Sequence, residues 1–134
     1  MSRHLRMTVP LLLAALFAAA CGDATGPDDG SVPFVLHLTT PFPDDGALLV
    51  VLYGPLPEAV EVVAGSAELV VHSIRVADTL RIAVFGTIVS GPLGRLDLPA
   101  GTVVSQISGR VEDAASRGAV QRDAVSGYTL RLER

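Results

Sequence analysis

A chain of 134 residues with fourteen acids, ten arginines and no lysine carries a formal charge of −4; it has room for one domain with a real core and too little for two. The acidic balance argues against nucleic acid as a partner, because phosphates demand clustered basic side chains. A lone cysteine rules out an internal disulfide, so stability has to come from packing. Asparagine is missing as well as lysine, while arginine, alanine, glycine and valine are plentiful, a pattern of coding bias. N-glycosylation acceptors and Asn-Gly hairpin turns are therefore absent.

The first twenty residues read as a secretory signal peptide. Arg3 and Arg6 give a basic start, Val9 to Ala20 is apolar and uncharged, and small residues lead into Cys21. The apolar run is 12 residues long, short of the roughly 20 a bilayer-spanning helix needs. Ala18-Ala19-Ala20-Cys21 resembles the lipobox of bacterial lipoproteins, with Ala18 standing where the usual box has leucine. The resemblance implies that Cys21 is lipidated and becomes the mature N-terminus, attached to a diacylglyceryl thioether and an N-acyl chain. More than one chain is what stable anchoring requires. It further implies a cell-envelope protein, membrane-anchored outside the cytoplasm. Gly22, in place of the aspartate that marks inner-membrane retention, favours the outer membrane. Cleavage after Ala20 leaves 114 residues, and the loss of Arg3 and Arg6 moves the formal charge to −6.

Residues 21–32 follow as the lipidated cysteine and a tether. Gly, Pro and Asp dominate Gly22 to Val32 with no apolar period, and those residues extend to roughly 36 Å. From Pro33 the period becomes two, and residues 33–134 read as the folded domain. Phe34, Leu36 and Leu38 alternate with Val35, His37 and Thr39. Pro41 to Gly46 reads as a turn. Ala47 to Tyr53, apolar on both faces, reads as a central strand. Gly54-Pro-Leu-Pro57 breaks it, and Val60 and Val62 begin another short strand. Leu69 to Val76 places Val70, Ile74 and Val76 on one face and Ser73 and Arg75 on the other. Thr79 to Phe85 sets Leu80, Ile82 and Val84 against Thr79, Arg81 and Ala83. After Gly86 and Ser90-Gly-Pro92, Leu96 and Leu98 oppose Arg95 and Asp97. Val103 to Val111 reads as a further strand, residues 113–126 as a hairpin and loop, and Tyr128, Leu130 and Leu132 as the last inward row.

About eight short strands between Gly/Pro turns, without a 3.6-residue period, predict an all-β fold, a single antiparallel β-sandwich. The order Leu80-Arg-Ile-Ala-Val-Phe-Gly86, Gly91-Pro-Leu93, Leu96-Asp-Leu-Pro99, Val111-Glu-Asp-Ala and Gly127-Tyr-Thr-Leu130 is similar to cohesin-like sandwich domains over residues 79–132. The resemblance implies an Ig-like or cohesin-like sandwich. Cohesins are generally longer than the 33–134 span, and dockerin binding is not carried over with the fold.

The residue inventory offers little chemistry. No Gly-x-Ser-x-Gly elbow or His-Glu-x-x-His helix occurs. Of the mature histidines, His37 alternates outward and His72 lies on the Val70/Ile74 face as a satisfied or rim histidine. Asp44, Asp45, Asp113 and Asp123 are the carboxylates that sandwich loops could gather round calcium, although Asp44-Asp45-Gly46 also reads as turn chemistry. With no tryptophan, and with Phe34 and Tyr128 on core rows, a carbohydrate face is not expected, although Tyr53 and Phe42 are placed to sit at a surface. The expectation is a lipid-anchored envelope lipoprotein with a non-catalytic interaction or structural module, needing no cofactor or metal, with the membrane and an envelope protein of unspecified identity as partners. The alternative is a small envelope enzyme, or a ligand- or calcium-binding carrier.

Overall fold

The computed structural model describes residues 30–134. The signal peptide, Cys21 and nearly all of the tether lie outside the described residues. Eight strands form: β1 (Ser31–Thr39), β2 (Asp45–Tyr53), β3 (Val62–Ala64), β4 (Leu69–Val76), β5 (Thr79–Ile88), β6 (Gly91–Pro99), β7 (Ser108–Ser116) and β8 (Thr129–Glu133). They make two four-stranded antiparallel sheets, ordered β3-β6-β1-β8 and β4-β5-β2-β7. The all-β sandwich predicted from the alternation is the fold observed.

Its core is the set of alternating rows, turned face to face. Phe34, Leu36, Leu38, Leu93, Leu96 and Leu98 come from the first sheet and meet Leu48, Val50, Leu52, Leu80, Ile82, Val84 and Ile88 from the second. Burying such branched side chains at roughly 25 cal/mol per Å2 of apolar surface is the main stabilising term, since no disulfide contributes. β2 is central, between β5 and β7; Leu48, Val50 and Leu52 face the core, and Ala47, Leu49 and Val51 lie on the outer face of the sheet.

Several boundaries differ from the sequence reading, each for a physical reason. The sandwich begins at Ser31, two residues before Pro33, because Val32 pairs with Leu98 and packs on the core. β8 reaches β1 only at Val35–Thr39, so Pro33 sits where β1 has a free side and its missing N–H is tolerated. β5 does not stop at Gly86 but continues to Ile88. Gly86 holds φ +127°, and a β-carbon there would sit 2.1 Å from the Glu68 carbonyl oxygen, so only glycine lets the strand pass. Val103 is exposed and residues 104–106 form a 3-10 turn, so the strand expected from Val103 starts at Ser108 and runs through residues assigned to a loop. The face of β4 holding Val70, His72, Ile74 and Val76 points to solvent, not to the core.

Candidate functional site

The polar residues converge at one end of the sandwich, where the β1–β2 turn meets the segment between β7 and β8. Asp45 is the centre, with none of its surface accessible. It belongs to β2 and not to the preceding turn. Strict alternation with inward Leu48, Val50 and Leu52 would point it outward. Instead the register shifts at Gly46: Ala47 pairs with Ala115 and Asp45 with Ser116, so β2 carries one extra residue. That bulge reverses the parity of the strand and turns the Asp45 carboxylate into the interior. Gly46 has to be small, because a β-carbon would lie 2.7 Å from the Arg117 backbone.

Every direction around the buried carboxylate is filled by a donor. Thr40 Oγ1 donates to Oδ2 at 2.5 Å, and Tyr128 Oη donates at 2.9 Å from Oδ1 and 3.0 Å from Oδ2. Arg122 donates to Oδ1 from Nε at 3.1 Å and from Nη2 at 2.9 Å, and reaches Asp44 Oδ1 at 2.6 Å. The guanidinium also lies over the Phe42 ring, 4.0 Å from its centroid, and Phe42 packs beside Tyr128 with centroids 6.0 Å apart. A buried ion is tolerated only when its counter-ion and hydrogen bonds are all present, and here they are.

This geometry sets the charges. The Arg122 hydrogen bond holds the Asp44 carboxyl below its ordinary range. The two aspartates raise the Arg122 guanidinium further above its usual value. Burial, followed by the hydrogen bond to Asp45, pushes the Tyr128 phenol up. Arg122 is also pinned by its backbone, whose N–H donates to the Ala114 carbonyl at 2.8 Å. The cluster thus closes the sandwich end, tying residues 40–45 to residues 122–128. Both Asp45 oxygens are engaged within it, by Thr40, Tyr128 and Arg122.

The other sequence candidates do not join it. Asp113 accepts from Gln121 Nε2 at 2.9 Å and from the Ala114 N–H at 3.0 Å on the outer face of β7. Asp123 is exposed in the β7–β8 segment. His37 lies on the outer face of the first sheet, 3.3 Å from Glu133, while His72 is exposed on β4 of the second. Among the described residues, no three of the His, Cys, Asp or Glu side chains come together as a metal site would require. Tyr53 and Phe42 are half-buried beneath the guanidinium groups of Arg110 and Arg122.

The concave feature of greatest interest is a shallow depression of about 320 Å3 on the outer face of β5, β2 and β7. Ala47, Leu49, Ala83 and Phe85 form its apolar floor, and the Asp113–Gln121 pair its rim. It belongs to an apolar outer surface. Across the four strands, Val70, Phe85, Ala47 and Ala115 form one row, and His72, Ala83, Leu49 and Asp113 the next. Val70, Ile74, Val76 and Phe85 are 55, 64, 46 and 48 % exposed. Sequence reasoning missed both features. Asp45 looked like a turn residue because the bulge hides its parity, and the outer face was hidden because β2 and β4 are apolar on either reading. The signal that could have found the cluster is Asp45, Arg122 and Tyr128 as three polar side chains flanking otherwise apolar rows.

No protein-family model, curated protein or solved structure matches this chain.

Proposed function

We infer that this protein is a lipid-anchored lipoprotein of the cell envelope, tethered through Cys21, whose β-sandwich acts as a non-catalytic interaction module. The observation that carries the module reading is the apolar outer face of the β4-β5-β2-β7 sheet. Four large apolar side chains about half exposed on neighbouring strands, continuous with a shallow apolar depression, are the kind of patch that marks a contact surface. The polar groups best placed for chemistry support it from the other side, since Asp45, Arg122, Tyr128 and Thr40 are consumed in holding the fold.

The anchor rests on the sequence around Cys21. Its test is the mass of the mature N-terminal peptide, which should begin at Cys21 and carry acyl chains, together with Cys21→Ser, which should shift the protein from the membrane to the soluble fraction. A free, unmodified Cys21 in the wild type would refute the anchor. The module is tested separately by crosslinking whole envelopes. Phe85→Asp should lose the crosslinked species seen with wild type while the protein stays folded, its melting temperature lowered by only a few degrees.

A further inference from the structure

We propose that the partner of this module is a second copy of the chain, joined edge to edge through β4 to make one continuous eight-stranded sheet. The proposal rests on the interaction-module reading, and needs the lipid anchor only to raise local concentration.

Of the four sheet edges, three are blunted. β3 has three residues and β8 five. β7 is bulged at Glu112, where Leu49 pairs with Asp113 and Val50 with Val111, and its upper half is covered by Gln121 and Arg122. These are the ordinary devices that keep sheet edges from pairing. β4 has none of them. It runs eight residues in unbroken register with β5, without proline, lysine or bulge. Beyond that ladder, among the described residues, the backbone from Val70 to Arg75 takes no other backbone partner.

The free groups are identifiable. Val76 and Thr79 flank a two-residue turn with Ala77 at φ 53°, and the pair flanking such a turn is hydrogen-bonded. Hence Val70, His72, Ile74 and Val76 spend their N–H and C=O groups on β5, and Val71, Ser73 and Arg75 present theirs outward.

Antiparallel self-pairing keeps each side chain on its own face in any register centred on a residue, and the two that overlap most of β4 are centred on His72 and Ser73. Centred on His72, it sets imidazole against imidazole and Val76 against Glu68 of the other copy. Centred on Ser73, it sets Val70 against Val76, His72 against Ile74 and Arg75 against Val71. The second register opposes no like charges and gives all four exposed outer side chains a partner, so it is the one we assign. Arg75 does not obstruct it, since its Nη1 is held by the Leu56 and Pro57 carbonyls at 3.0 and 2.7 Å.

The contact is small. Seven paired residues span about 23 Å, and a strip of that length falls well short of the roughly 800 Å2 per partner of a stable complex. The pair is therefore weak in dilute solution and populated where anchoring in a shared bilayer supplies an effective concentration in the millimolar range. Each copy uses its one free edge, so assembly closes at two.

The test uses the full lipidated chain in phosphatidylcholine vesicles, with Ser73→Cys or His72→Cys and mild oxidation. Opposed residues of a hydrogen-bonded pair lie about 5.5 Å apart at Cα, within disulfide reach. Ser73→Cys should form a disulfide dimer several-fold more readily than His72→Cys, and adding Ile74→Lys, at a position already 64 % exposed, should abolish it without lowering the melting temperature. A stronger dimer at position 72, species larger than two, or no dimer at either position would overturn the proposal. In whole cells, an adduct of Ser73→Cys with a different protein and no self-adduct would overturn the second copy as partner and leave the interaction-module reading standing.

Discussion

The two sheets of this sandwich share one core and present opposite exteriors. The outer face of β3-β6-β1-β8 carries His37, Arg95, Asp97, Arg131 and Glu133 around Val35 and Val63, with His37 and Arg131 both within ion-pair distance of Glu133. The outer face of β4-β5-β2-β7 carries Val70, Ile74, Val76 and Phe85, with Ala47, Leu49 and Ala83 between or beneath them, and is bordered by the charged groups of Arg81, Arg110, Glu112 and Asp113. Both satisfy the same inner rows, so packing of the core does not account for the difference. An antiparallel sheet normally keeps one face for water. Where one sheet does so and its neighbour does not, the apolar exterior calls for a partner, and that is why the functional reading rests on the second sheet.

The comparison is broken most severely by mutating neighbours on β5. Val84 is fully buried and Phe85 lies half-exposed on the reverse face. Val84→Asp should cost about 5 kcal/mol, comparable with the whole stability of a domain this size, because it buries an unpaired carboxylate. Phe85→Asp should cost about 1 kcal/mol, the scale of strand preference, and act on association instead. Melting temperatures that fall equally for both would undo the assignment of inner and outer faces.

A smaller effect belongs to the sandwich end. Asp45→Ala strands the Arg122 guanidinium and the Tyr128 hydroxyl, and should cost about 3 kcal/mol, since removing one member of a buried ion pair leaves the other unmatched. Denaturant unfolding would measure it. A loss no larger than that of an exposed aspartate such as Asp123 would show that the cluster does not hold the end closed.

The smallest effects are in pH. Tyr128 has a raised folded pKa, so its contribution is complete below the ordinary tyrosine value of about 10 and is lost as pH climbs through the higher folded value. Tyr128→Phe should flatten that alkaline loss. Asp44 has a lowered folded pKa, so its contribution is present above the ordinary aspartate value of about 3.9 and disappears as pH falls through the lower folded one. Asp44→Asn should differ from wild type near neutral pH and converge with it in strong acid. Its side chain is half-exposed, so the difference is small and shrinks with added salt.

How much was legible follows from where alternation stays regular. Leu80, Ile82 and Val84, like Leu96 and Leu98, keep an unbroken period of two and are buried as that period requires. The β-sandwich follows from rows of this kind. Asp45 escaped because alternation carries no mark of a bulge, and one residue at Gly46 reverses every parity before it. Val103 and Ile107 escaped because a 3-10 turn also brings apolar residues to similar spacing. On β4 the period told which residues share a face, but Val70 and Ile74 are as apolar as a core row, and only the placement of β5 decides which side is covered. The polar cluster was illegible for a simpler reason: Asp45 and Tyr128 are 83 residues apart, and no local pattern connects them.

The pairing of β1 with β8, Val35 beside Glu133, also has a consequence in time. The first strand of the sandwich waits for the last, and the cluster at its end joins residues separated by 77 to 83 positions. Contacts of such long range are slow to form, because loop closure has to precede their reward. A chain emerging from the ribosome can therefore zip β4 to β5 across their tight turn, but cannot close its first sheet until β8 has been made, nor its polar end until Tyr128 has. Completion of the fold is deferred until β8 has left the ribosome, long after the β4–β5 hairpin can form.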